Sequence, residues 1–167
     1  MDAINFDVIP SALRDLPQWV LWRREERKGK LTKVPYTPYG SLASSIDPQT
    51  WSTFEITRKA YEKGGYDGLG FVFVRELGLT AIDLDHCRDP STGEIDGWAL
   101  DIIERFNSYT EVSPSGEGVH ILIKGSLPPG VIGRKKYLKG EGYRPLAGIE
   151  MYSGGRYFTM TGDSYEP

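Results

Sequence analysis

The sequence predicts an α+β fold, mostly antiparallel sheets with helices on one face, from three observations. Short apolar or alternating runs bounded by Gly, Pro, Asp and Ser recur along the chain, as antiparallel strands require. Two segments instead read as helices: Ser52 to Lys63 from a capping box and a glycine stop, and residues 97 to 107 from apolar residues at helical spacing. The elements run β-β-α, then β-β-α-β-β with a terminal β-β, which gathers the helices on one side of the sheet and leaves its other face free to carry chemistry.

Pro10 to Leu16 is a short helical turn, opened by Pro and Ser and closed before Pro17. In Gln18 to Arg24, Trp19, Leu21 and Arg23 alternate against Val20, Trp22 and Arg24, a strand with two bulky faces. Gly29 turns it into Lys30 to Tyr36, a hairpin. Pro35, Pro38 and Gly40 break the chain into a loop ending at Ser44-Ser45, and Asp47-Pro48 opens another helical turn. Ser52-x-x-Glu55 reads as a capping box for a helix that runs to Lys63 and stops at Gly64-Gly65.

Gly68 to Val74 and Leu79 to Asp85 are apolar runs separated by a short polar turn, and are expected to be adjacent central strands of a hairpin. Arg88 to Gly97 is a polar loop. Trp98, Ala99, Ile102, Ile103 and Phe106 make the following helix amphipathic, with its aromatics in the core. Tyr109 to Ser113 and Val119 to Lys124 are strands joined by Pro114-Ser115-Gly116-Glu117-Gly118. Ser126 to Ala147, rich in Gly and Pro and without a clear period, is expected to be an exposed loop over the site. Ile149 to Ser153 and Arg156 to Thr161 complete the strands.

At 167 residues the chain is long enough to bury one core, and nothing in it looks disordered. The single Cys87 excludes an internal disulfide, and with only His86 and His120 beside it a structural zinc site is not expected. There is no apolar run of membrane-spanning length and no signal-like start, so a soluble, cytoplasmic protein is expected. The net charge of -3 conceals an uneven distribution. Residues 23 to 33 hold six basic groups against Glu25 and Glu26, and residues 126 to 147 hold Arg134, Lys135, Lys136, Lys139 and Arg144 against Glu141. Either patch alone reads as a solvated face. Two patches flanking an acidic cluster suit an anionic polymer, with Arg134, Lys135, Lys136, Lys139 and Arg144 as candidate DNA contacts.

Three short motifs carry the chemistry. In Leu79 to Asp85, period 2 sends Asp83 and Asp85 to one face and Ile82 and Leu84 to the other. Two like charges so close repel unless a cation lies between them, and the hard ions that take carboxylate oxygens are Mg²⁺ and Mn²⁺. A solvated turn opening is the plainer reading of the same two residues. In Ser115-Gly116-Glu117-Gly118-Val119-His120, Gly116 and Gly118 let the backbone approach a phosphate, and alternation places His120 opposite Val119 and Ile121, on the open face. In Ile149-Glu150-Met151-Tyr152, an acid interrupts an apolar strand, which makes Glu150 the candidate third carboxylate; an exposed edge-strand acid is the alternative.

The order Asp-x-Asp, Ser-Gly-x-Gly-x-His and a late-strand acid resembles the archaeo-eukaryotic primase superfamily, specifically the primase-polymerase heads of phage and plasmid replication proteins that also carry a helicase. Trp19-Val20-Leu21-Trp22, Lys33-Val34-Pro35-Tyr36, Ala43 to Pro48, Gly68 to Val72, Tyr109 to His120 and Gly155 to Thr159 look like family segments too. The resemblance implies a single catalytic domain over residues 1–167, the N-terminal head of a longer protein. An N-terminal αβ unit, roughly residues 1–66, would pack on a module similar to an RNA-recognition fold, roughly 67–167, with the site in the cleft. It implies that Asp83, Asp85 and Glu150 hold two Mg²⁺ or Mn²⁺ ions, although many relatives carry Asp at the last position. His120 and Ser115 would hold the phosphates of an incoming NTP or dNTP, and Lys33, Ser44, Ser45 and Arg156 would line the same pocket.

The implied activity is template-directed nucleotidyl transfer: a primer 3′-hydroxyl attacks the nucleotide in line and pyrophosphate leaves, with single-stranded or primed DNA as template and a helicase as C-terminal partner. Other metal-dependent phosphate chemistry uses Asp-x-Asp on a strand, in phosphatases with an aspartyl nucleophile and in glycosyltransferases. The former want a lysine and a further acidic pair downstream, of which the sequence offers no clean version. A non-catalytic single-strand-binding module would show aromatics where this sheet shows Asp83, Asp85, His120 and Glu150.

Overall fold

The computed structural model describes residues 4–166. Its chain divides into two compact units. One comprises Ile9–Val72 with Gly155–Met160, and the other the residues up to Val8, Phe73–Gly154 and those from Thr161 onward. Both sheets are built from antiparallel pairs, with three α-helices among the described residues, so the fold is α+β as expected.

In the first unit the hairpin forms as its sequence requires. β1 (Trp19–Arg27) pairs with β2 (Lys30–Tyr36) across a turn in which Lys28 and Gly29 both take positive φ, 54° and 73°. β1 also pairs with β3 (Gly68–Phe73), and β9 (Arg156–Met160) lies beside β3, giving the order β2-β1-β3-β9. All six residues of β3 are buried, and its glycines are steric requirements. A Cβ on Gly68 would stand 2.7 Å from the Trp22 indole nitrogen, and one on Gly70 would stand 2.6 Å from the Tyr157 ring. Trp19 is fully buried, meets Phe54 and Phe71 edge-on at 4.9 and 5.2 Å, and donates its indole N–H to the Leu13 carbonyl over 3.1 Å. α1 (Ser11–Arg14) and α2 (Phe54–Glu62) supply Leu13 and Phe54 to this core. The cap of α2 is Thr53, whose hydroxyl accepts from the Ile56 amide, whereas Ser52 forms a bridge with Trp19; the helix therefore starts one residue later than its sequence pattern suggests, with a simple N-cap instead of a capping box because Ile56 stands where the box needs Glu or Gln.

In the second unit β4 (Leu79–Asp85) lies at the centre of the order β5-β6-β4-β8-β7, formed with β5 (Thr110–Val112), β6 (Val119–Lys124), β7 (Gly133–Tyr137) and β8 (Gly148–Tyr152). α3 (Gly97–Phe106) covers one face. Its Ala99 and Ile103 pack with Ile82, Leu84, Cys87, Ile95, Val119 and Ile121, each buried Ile, Leu or Val contributing about 1.5–3 kcal/mol. Burial, with Asp96 and Asp83 nearby, pushes the Cys87 thiol up to about 12, so it behaves as a small apolar residue.

Two expectations are corrected. β3 and β4 do not form a hairpin: they belong to different sheets, separated by a single 3₁₀ turn at Arg75–Leu77 that ends at left-handed Gly78. A strand has only two hydrogen-bonding edges; β1 and β9 take both of those of β3, while β6 and β8 take those of β4. The segment from Ser126 to Ala147 is also not all loop, because Gly133–Tyr137 forms the edge strand β7 on β8. Paired on one side only, with four of its five residues exposed, it carries no apolar alternation to announce it.

Phe71→Ala should lower stability by about 3–5 kcal/mol, the cost of an aromatic cavity. Leu31→Ala, at a side chain 72% exposed, should stay within about 0.5 kcal/mol. Urea midpoints of the two variants against the parent check both.

Candidate active site

The strand register lines up one ionisable residue from every strand of the five-stranded sheet. Glu111 on β5 pairs with His120 on β6, His120 with Asp83 on β4, Asp83 with Glu150 on β8, and Glu150 with Lys135 on β7. Because Ile82 and Leu84 point into the core beneath α3, the pleat sends this row to the opposite face. Asp85, two residues along β4, shares that face and stands opposite Gly148, where no side chain competes with it.

Exposure is greatest at the Lys135 end of the row and least at the Glu111 end, although Asp83 is more exposed than Glu150 beside it. The Lys135 side chain is 38% exposed, Asp83 26%, Glu150 17%, His120 6% and Glu111 0%. His120 therefore lies on the face its alternation predicts, but that face is not open at this position: the imidazole is buried between two carboxylates. Its Nδ1 is 3.4 Å from Glu111 Oε1 and its Nε2 3.9 Å from Asp83 Oδ1. Glu150 is anchored on both oxygens, taking the Lys135 ammonium on Oε1 and the Tyr152 hydroxyl on Oε2. The hydrogen bond to Glu150 holds the Lys135 ammonium above the ordinary lysine range.

The glycine loop lies directly against the carboxylate strand. A Cβ on Gly118 would meet the Leu84 carbonyl at 2.5 Å and the Asp85 Cα at 3.4 Å, so only glycine permits this approach. The amides of Cys87 and Arg88 both donate to the Glu117 carbonyl over 2.9 Å, tying the chain after Asp85 to the loop. Gly116 turns at φ 77°, Ser115 accepts from the Glu117 amide, and the Ser113 and Ser115 hydroxyls lie 3.0 Å apart. Beside them is a cleft of about 510 Å³, lined in part by Arg88, Ser113, Ser115, Gly116 and Asp163.

Asp83, Asp85 and Glu150 offer the oxygen donors a hard divalent cation takes, and they share one face. Among the described residues, however, no group of three or more His, Cys, Asp or Glu side chains closes to metal-holding geometry.

Lys33, Ser44, Ser45 and Arg156 belong to the other unit. Ser44, Ser45 and Arg156 line one cleft of about 450 Å³ with Pro35, Ala43, Gly155 and Tyr157, and Ser45 donates to the Gly155 carbonyl over 3.1 Å. The Lys33 carbonyl accepts from Tyr157, while its ammonium lies 5.7 Å over the Trp22 ring. In the same unit Arg23 stacks on Tyr36 and Tyr66 at 4.8 and 4.3 Å, which makes it partly a packing element.

The basic residues of the 126–147 segment are dispersed. Lys135 faces the carboxylate row, whereas its neighbours Arg134 and Lys136 alternate to the other side of β7. Arg144 pairs with Asp96 at 2.9 Å and Asp89 at 3.9 Å, and Lys139 is exposed. Glu111 is the site residue the sequence analysis missed. The signal was weak, since Glu111 stands between Thr110 and Val112 in a three-residue strand, without the apolar neighbours on both sides that mark Glu150.

Gly118→Ala should destabilise the protein by about 1–3 kcal/mol through overpacking against the Leu84 carbonyl. Gly97→Ala, at a position with open space around it, should not destabilise it, and thermal midpoints of the two variants check the contrast.

Among the described residues no helix is long and apolar enough to cross a membrane. No family model matches the chain. The chain is 36% identical over 156 residues to a "DNA Primase-polymerase" of Nitratiruptor phage NrS-1, a match covering 93% of this chain. It spans 20% of that protein's length. The strand carrying Asp83 and Asp85, the glycine loop leading to His120, and the similarity over nearly the whole chain together support a primase-polymerase family.

Proposed function

We propose that the chain catalyses template-directed nucleotidyl transfer as a DNA-directed primase-polymerase, adding nucleotides to a primer 3′-hydroxyl with release of pyrophosphate. The single observation that carries this reading is the register that sets Asp83 directly between His120 and Glu150 on one polar sheet face, with Asp85 beside it. Phosphoryl chemistry of this kind asks a protein mostly for positioning and charge compensation. Two Mg²⁺ or Mn²⁺ ions held by Asp83, Asp85 and Glu150 would supply the activation of the attacking hydroxyl and the stabilisation of the leaving group.

The chain's own residues take the remaining tasks. His120 and the Ser115 to Gly118 loop are assigned to the phosphates of the incoming nucleotide, since Gly118 brings the loop backbone against the carboxylate strand. Ser44, Ser45 and Arg156, around their own cleft, are assigned to nucleotide contacts, with Lys33 nearby on the same unit. Template phosphates are assigned to Arg134, Lys136 and Lys139, whose side chains are exposed; such contacts are independent of sequence, as copying requires. Lys135 and Arg144 are assigned structural ion pairs, on the strength of their carboxylate partners.

The test is extension of primed single-stranded DNA with each nucleotide set and either Mg²⁺ or Mn²⁺. Asp83→Ala combined with Asp85→Ala should abolish extension while leaving the fold intact or more stable without metal, because two repelling acids are removed. Retained extension in the double variant would sink the assignment. Replacing Arg134, Lys136 and Lys139 with Ala should weaken template binding about equally for all sequences. It should also flatten the dependence of log affinity on log salt by roughly 0.7 for each phosphate that is no longer neutralised. An unchanged slope would return these residues to the role of a solvated edge.

A further inference from the structure

The buried end of the row holds a group that the reaction outlined above does not use. Glu111 is 0% exposed on β5, the outer strand of the sheet, yet a carboxylate at an edge position could remain in water. Taking it out of water is costly unless every acceptor lone pair is matched, and here each partner is a donor. The Thr161 amide donates to Oε1 over 3.0 Å, and the Gly162 amide and the Tyr109 hydroxyl donate to Oε2 over 3.0 and 2.8 Å. Burial, and then the Glu111 charge, push the Tyr109 phenol above its ordinary range, so it remains a donor.

The turn that presents these amides is specified tightly. Gly162 adopts φ 63°, and a Cβ there would lie 2.3 Å from the Asn5 carbonyl oxygen, so glycine alone fits. The turn is docked along β5 by Thr161 Oγ1 to the Val112 carbonyl, the Val112 amide to the Asp163 carbonyl, and the Tyr165 amide to the Thr110 carbonyl, at 2.7, 2.8 and 2.8 Å. The remaining neighbour is His120 Nδ1, 3.4 Å from Oε1. Against an oxygen that only accepts, this nitrogen must carry its hydrogen, in the neutral ring and in the cation alike. The Nε2–H tautomer would set a lone pair 3.4 Å from a carboxylate with no exposure, whereas the Nδ1–H tautomer sets one 3.9 Å from Asp83, which is 26% exposed and can be solvated.

We propose that Glu111 is a positioning residue for His120: held by the Thr161–Gly162 turn, it fixes the imidazole with Nδ1 protonated and directs Nε2 towards Asp83 and the nucleotide. The last clause rests on the assignment of His120 to the nucleotide phosphates, whereas the fixed tautomer does not.

Nitrogen-15 correlation spectra, with His120 assigned against a His86→Gln variant, should show Nδ1 protonated in the wild-type protein. The Nε2–H form should grow in Glu111→Gln. Nucleotide affinity by calorimetry should fall roughly tenfold in Glu111→Gln, the scale for losing an orienting partner. In a His120→Ala background the same substitution should change affinity no further. A dominant Nε2–H tautomer in the wild type would overturn the proposal, as would an equal loss of affinity in both backgrounds, which marks a purely structural acid. If Glu111→Gln does not fold, the wild-type tautomer decides alone. Wild-type protein that holds the Nδ1–H form but binds no nucleotide would support the positioning and overturn the nucleotide role of His120.

Discussion

The five-stranded sheet depends on keeping like charges side by side. Asp83 and Glu150 are directly paired across β4 and β8, an arrangement that destabilises a sheet unless other groups compensate it. Compensation comes from the flanking strand β7, whose Lys135 ammonium sits on Glu150, while on the other side the His120 imidazole separates Asp83 from Glu111. Glu150 is answered by Lys135 and Glu111 by the His120 Nδ1–H, each the residue next in register, so every strand contributes a group to one polar row. The same regularity explains why α3 must cover the other face. A strand that sends Asp83 and Asp85 one way sends Ile82 and Leu84 the other, and those need burial.

The two ends of the row differ in what they can do. At the Lys135 end the strand is an edge, exposed and paired on one side, so its ion pair with Glu150 is open to exchange with solvent ions. At the Glu111 end the acid is sealed by backbone amides and a phenol, and its geometry is fixed by groups that cannot move without breaking the turn.

Much of the sequence was legible because local rules governed it. The β1–β2 hairpin, the helix over Gly97–Phe106 and the pleat of Leu79 to Asp85 all follow from short-range sterics and period, and each forms where the sequence places it. Gly118 was also legible as a close approach, although the group approached in the structure is the Leu84 carbonyl, while Gly116 serves the turn at φ 77°. Thr53 rather than Ser52 caps α2, a one-residue shift of the kind local patterns leave open because both hydroxyls satisfy the same rule. β7 was illegible for a different reason: an exposed edge strand buries too little to impose an apolar pattern.

The sequence by itself determined which residues share a face: alternation puts Asp83 with Asp85, and His120 opposite Val119 and Ile121, whatever the strands later pair with. Only the tertiary structure decided who stands beside whom. Pairing of β4 with β6 and β8, and the consequent assignment of β3 to the other sheet, is a competition among hydrogen-bonding edges across long sequence separations, which no local window records. That pairing made Glu111 and Lys135 the two ends of one row with His120, Asp83 and Glu150 between them. The burial of His120 was likewise settled there, since accessibility belongs to the packed sheet and its covering turn rather than to the strand that carries the residue.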